Sequence, residues 1–85
     1  MGFSVNRERD YATGPDAYVH VKYTNRAGSF LSETVHYRYQ GESDAAFNRR
    51  VQGQAYENAL NVSMQRGNGQ VNVDAFSSDY KRHIW

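Results

Sequence analysis

Residues 17–40 read AYVHVKYTNRAGSFLSETVHYRYQ, and apolar and polar side chains alternate in both halves. Period-two alternation rich in Val, Thr and Tyr marks half-buried strands, and the Asn-Arg-Ala-Gly-Ser stretch between them marks a turn. A three-residue hairpin loop pairs a type I turn with a left-handed third residue, a place that glycine fills without strain. Arg26-Ala27-Gly28 meets that rule. A regular ladder from this loop sets Tyr23 opposite Leu31, Val21 opposite Glu33, Val19 opposite Val35 and Ala17 opposite Tyr37. One face then carries Val19, Val21, Tyr23, Leu31, Val35, Tyr37 and Tyr39. The other carries Tyr18, His20, Lys22, Thr34, His36 and Arg38. A slip of one residue exchanges the faces, so burial favours one register. Glu33 is the misfit, a carboxylate placed on the apolar face.

Residues 43–66 have helical spacing, with Phe47, Val51, Ala55, Ala59 and Val62 on one face. Ser43 suits the N-cap, Asp44 the positive end of the helix dipole, and Gly67 the stop. A second apolar line holds Ala46, Gly53, Tyr56, Leu60 and Met64. Gly53 costs the helix about 1 kcal/mol relative to alanine. A helix lying on a sheet buries one face, so the second line needs another cover. That cover is a terminal segment of this chain, a partner protein or a second copy.

QVNVDAF alternates Val71, Val73 and Ala75 against Asn72, Asp74 and Phe76, which predicts a third strand. After a Ser-Ser-Asp turn, residues 80–85 alternate weakly as a short fourth strand, with Tyr80, Arg82 and Ile84 on one side and Lys81, His83 and Trp85 on the other. Residues 1–16 are mixed and polar; Phe3 and Val5 could form an edge strand before the Gly-Pro turn at 14–15. The expectation is one α+β domain over residues 1–85, a single helix packed on one face of an antiparallel sheet of three to five strands in the core order β-β-α-β.

Composition adds limits. A chain of 85 residues is one domain. Ten Lys and Arg against nine Asp and Glu give a net charge of +1, spread along the chain, so no charged tail for nucleic acid or membrane stands out. No apolar run nears the roughly 20 residues of a membrane span, and the start lacks the apolar core of a secretion signal, so a cytoplasmic protein without membrane contact is expected. Cysteine is absent, which excludes disulfides and thiol chemistry.

The chemistry of a site is sparse. There is no Gly-x-Ser-x-Gly elbow, no His-Glu-x-x-His and no phosphate loop. The regular register makes His20 and His36 diagonal neighbours on the open face, short of the three ligands that catalytic zinc takes. No enzyme, metal or cofactor is expected. The leading expectation is a small non-catalytic module that contacts another protein as a regulator, inhibitor or assembly factor, of the kind phage and mobile elements encode. Its contact residues are Tyr56, Leu60 and Met64 with Tyr80, Lys81, Arg82 and Trp85, which join apolar, aromatic and basic groups as interface anchors do. The second expectation is a nucleic-acid-binding module using Tyr18, His20, Lys22, His36 and Arg38, since single strands stack on aromatics flanked by basic groups. The stretch from Gly14 to Leu60 faintly resembles the second half of a double-stranded-RNA-binding domain. Ser43-Asp44-Ala45-Ala46 stands where that family opens its last helix with lysines, so the chain is not placed there.

Overall fold

The computed structural model describes residues 10–14, 16–67, 69–77 and 80–85. Four strands and one helix follow in the order β1 (Tyr18–Thr24), β2 (Phe30–Tyr37), α1 (Asp44–Arg66), β3 (Asn72–Ser77) and β4 (Arg82–His83). The sheet is antiparallel in the order β2-β1-β3-β4, with α1 packed on one face, as the α+β expectation requires. Tyr11 adds an isolated antiparallel bridge to Tyr39 beyond the end of β2. The edge strand expected at Phe3 and Val5 lies outside the described residues.

The hairpin loop closes as its glycine requires. Gly28 sits at φ 89° and donates to the Asn25 carbonyl at 2.9 Å, while the Asn25 amide donates to the Ser29 carbonyl at 3.0 Å. The Asn25 side-chain oxygen also accepts from the Ser29 amide at 2.9 Å.

The ladder beyond that loop is not the regular one. Thr24 pairs with Phe30, but Tyr23 pairs with Ser32, so Leu31 is an extra residue on β2. Such a β-bulge re-aims every side chain after it. Val21 faces Thr34 instead of Glu33, and Val19 faces His36 instead of Val35. The expected faces of β2 are therefore exchanged: His36 is buried, whereas Val35 and Tyr37 are exposed. The physical reason lies at Glu33. In the regular register its carboxylate would point into the core beside Val21, which has no exposed surface. An unpaired buried charge costs several kcal/mol. Exposing part of Val35 forfeits only a fraction of the roughly 1.5–3 kcal/mol that a fully buried aliphatic side chain contributes. The bulge wins on that comparison, and Leu31 stays in the core.

The helix begins and ends on local chemistry. Ser43 is in extended conformation and its hydroxyl accepts from the Ala46 amide at 3.1 Å. Gly67 closes the last turn at φ 68° and donates to the Ser63 carbonyl. Phe47, Val51 and Ala55 pack on Val19, Val21, Tyr23, Leu31 and Ala75, with Ala59 and Val62 at the margin. The chain end is tied down: Ile84 donates from its amide to the Ala75 carbonyl at 2.8 Å, and the Trp85 indole donates to Asn48 Oδ1 at 3.0 Å. Ile84 and Trp85 both pack against the core cluster. Among the described residues no helix is long and apolar enough to cross a membrane.

Candidate binding surfaces

The core side of α1 carries Val51 and Ala55; at 3.6 residues per turn, Gly53 lies on the opposite side of the helix. Ala46, Leu60 and Met64 fall on the same outward line. Tyr56 is 67%, Leu60 47% and Met64 78% exposed, so neither the C-terminal segment nor any other described part of the chain covers them. Tyr56 and Leu60 also border a groove of about 330 Å³ that continues across Ala59 and Ser63 to Val71 and Val73.

The other residues expected to join this surface lie elsewhere. Trp85 is half-buried, docked at Asn48. Arg82 pairs with Asp16 at 3.1 Å and lines a cleft of about 180 Å³ with Arg38, Phe47 and Ile84. Lys81 is exposed. Tyr80 stands on the opposite face of the sheet, stacked on His20 at 4.6 Å. Its backbone has φ 66°, a left-handed turn conformation. The expected grouping of Tyr80 with Arg82 and Ile84 therefore fails: the turn separates it from them.

The open face of the sheet carries an uninterrupted row of rings. It runs Tyr39, Tyr11, Tyr37, Tyr18, His20, Tyr80, Phe76 and His83, with neighbouring centroids 4.6 to 5.7 Å apart. At its centre Glu33 accepts from the Tyr80 hydroxyl and meets His20 Nδ1 at 2.9 Å. The Tyr80 hydrogen bond, followed by that of His20, holds the Glu33 carboxyl below its ordinary pKa against the opposing effect of burial. The same bond pushes the Tyr80 phenol up to about 12. Lys22 lies over the Phe76 and Tyr80 rings at 5.9 and 5.3 Å. Its cross-strand neighbours are Glu33 and Asp74, so the middle of this face is not basic. His83 approaches Asp74 at 3.5 Å. Among the described residues no group of three His, Asp or Glu side chains is placed to hold a metal ion.

The bulge divides the residues expected to bind nucleic acid. Tyr18, His20 and Lys22 remain on the open face, while His36 and Arg38 turn to the helix. Arg38 lies over the Phe47 ring at 4.7 Å and pairs with Asp44 at 2.7 Å. His36, itself buried, joins a part-buried polar chain. Its Nδ1 meets Gln54 Oε1 at 2.9 Å and its Nε2 meets the Thr34 hydroxyl at 2.9 Å. Thr34 in turn bonds the Tyr23 hydroxyl at 3.1 Å, which also accepts from Asn58 at 3.3 Å. Burial lowers the His36 pKa most; the hydrogen bond to Gln54 opposes it, and nearby Arg50 lowers it further.

Sequence reasoning missed Tyr11, Tyr37, Tyr39, Phe76 and His83 as members of the ring row. Tyr37 was legible only through the bulge, whose one signal was the misplaced charge of Glu33. Comparison with protein-family models, curated proteins and solved structures found no match to this chain.

Proposed function

We propose that the protein is a non-catalytic binding module that acts through contact with another protein, as a regulator, inhibitor or assembly factor. The observation that supports this reading is the exposed line Tyr56, Leu60 and Met64 on the outer side of α1. Single exposed apolar residues are ordinary, but a contiguous apolar patch marks an interaction site. The groove to Val71 and Val73 extends the patch and offers a pocket for an anchoring side chain. Leu60→Asp tests the reading. It should leave the circular dichroism spectrum unchanged and abolish capture of the partner. A folded Leu60→Asp that captures everything the wild type does sinks the proposal.

A second reading rests on the ring row, which suits the stacking of single-stranded bases on Tyr18, His20, Tyr80 and Phe76. The carboxylates on either side of Lys22 weigh against it. Phosphate-driven binding weakens steeply with salt. If no single-stranded DNA or RNA binds even at low salt, the second reading is finished.

A further inference from the structure

Gly53 is unexplained by the packing of the described residues. A Cβ built on it meets nothing within 4 Å, and its backbone is ordinary helix. Alanine would fit and strengthen the helix. A glycine on an outward helix face lets another backbone approach closely. The surroundings of Gly53 specify what approaches. Ala46 and Leu60 lie seven residues to either side of it on the same line, one small and one large. Arg50 and Glu57 fall along one flank, Arg49 and Tyr56 along the other.

We propose that the outer face of α1 pairs antiparallel with the same face of a second copy of this chain, with Gly53 at the two-fold axis. This rests on the protein-contact reading above and names the partner. A two-fold at Gly53 sets Leu60 of each copy over Ala46 of the other, a large side chain into a small one. Antiparallel pairing brings like flanks together. Arg50 of one copy then faces Glu57 of the other, and Arg49 faces the Tyr56 ring, a cation over an aromatic. Both flanks are complementary to themselves, as an isologous interface requires. Neither Arg49 nor Glu57 has an ion-pair partner among the described residues. Arg50 engages Glu42 through Nε and Nη2 and the Tyr37 carbonyl through Nη2, and its guanidinium lies over the Tyr39 and Phe47 rings; no bond from Nη1 is found among the described residues.

The absence of native cysteine makes single-cysteine variants a clean test. Gly53→Cys should form a covalent dimer under mild oxidation, because the two-fold brings residue 53 against its own copy. Met64→Cys should not. It lies eleven residues from the axis, which separates the two sulfurs by about 33 Å, far beyond the roughly 7 Å limit between Cα atoms that a disulfide tolerates. Sedimentation of the full chain at rising concentration should show a monomer–dimer equilibrium that Leu60→Asp abolishes while remaining folded. A wild type that stays monomeric at its highest soluble concentration overturns the proposal, as does a Met64→Cys that cross-links as readily as Gly53→Cys. A monomeric wild type that still captures a different protein, lost in Leu60→Asp, overturns the pairing alone and leaves the protein-contact reading standing.

Discussion

Removing one hydroxyl, in Tyr23→Phe, probes the polar chain that the bulge turned into the core. The heavy-atom distances allow one consistent direction of donation. Asn58 donates to Tyr23, Tyr23 to Thr34, Thr34 to His36 Nε2, and His36 Nδ1–H to Gln54. Each donor has an acceptor only if His36 is neutral. Tyr23→Phe deletes the second link and the acceptor of the first, and it keeps the ring, so no cavity forms. A neutral hydrogen bond contributes about 1 kcal/mol net, and a buried group left unpaired adds a further penalty. Asn58 is half-buried and can turn to water, while Thr34 keeps His36. The expected loss is therefore about 1–2 kcal/mol, below the 3–5 kcal/mol typical of deleting a whole buried aromatic. Urea unfolding followed by circular dichroism should show a lower midpoint at unchanged slope. In a Thr34→Val background the loss should shrink, because the two hydroxyls act on each other. A Tyr23→Phe variant within a few tenths of a kcal/mol of wild type, or a loss independent of Thr34, would show that the chain is not made.

Stability should fall with pH before most carboxylates titrate. The folded pKa of His36 lies below its ordinary 6.5, so the unfolded chain binds the proton more readily. Its contribution is complete above pH 6.5 and is lost as pH falls through the folded value. Urea midpoints between pH 7 and 5.5 should drop, and less so in His36→Gln. Tyr80→Phe should let Glu33 protonate at higher pH, since the Tyr80 hydrogen bond is the largest influence lowering it; carboxyl NMR titration reads this directly. Ser43→Ala should cost about 1 kcal/mol by removing the N-cap acceptor, measured by thermal unfolding. Val35→Thr on the open face should stay within about 0.5 kcal/mol of wild type, an outcome the regular hairpin register would forbid.

What was legible in the sequence follows from how far each decision reaches along the chain. The helix limits rest on Ser43 and Gly67, whose caps bond residues three and four positions away. The loop rests on Gly28, whose conformation is a property of that residue alone. The register of β2 depends instead on a comparison of two ladders one residue apart. Both bury Leu31, and alternation alone prefers the one that also buries Val35 and Tyr37. The competing ladder gains by freeing Glu33 and by joining Thr34 and His36 to Tyr23, Gln54 and Asn58, partners up to 35 positions apart. No local pattern contains that network. The ring row needed the bulge, the left-handed Tyr80 and the Tyr11 bridge together, so it was not legible either.

Two positions break a local rule, and the difference between them separates folding from function. Leu31 interrupts a ladder, yet the chain itself compensates: the bulge keeps Leu31 in the core and frees a carboxylate. Gly53 weakens a helix by about 1 kcal/mol, and nothing among the described residues packs against it in return. For a domain whose whole stability is of the order of 5–15 kcal/mol, that is a sizeable sacrifice. Exposure of Tyr56, Leu60 and Met64 falls on the same face. A rule broken with internal compensation belongs to the fold. A rule broken with no compensation among the described residues, beside apolar surface they leave uncovered, is the ground for the proposed contact. This criterion places the ring row differently, because its members already contact one another and Glu33 already holds Tyr80 and His20. The open sheet face is largely satisfied by its own side chains, while the outer face of α1 is not.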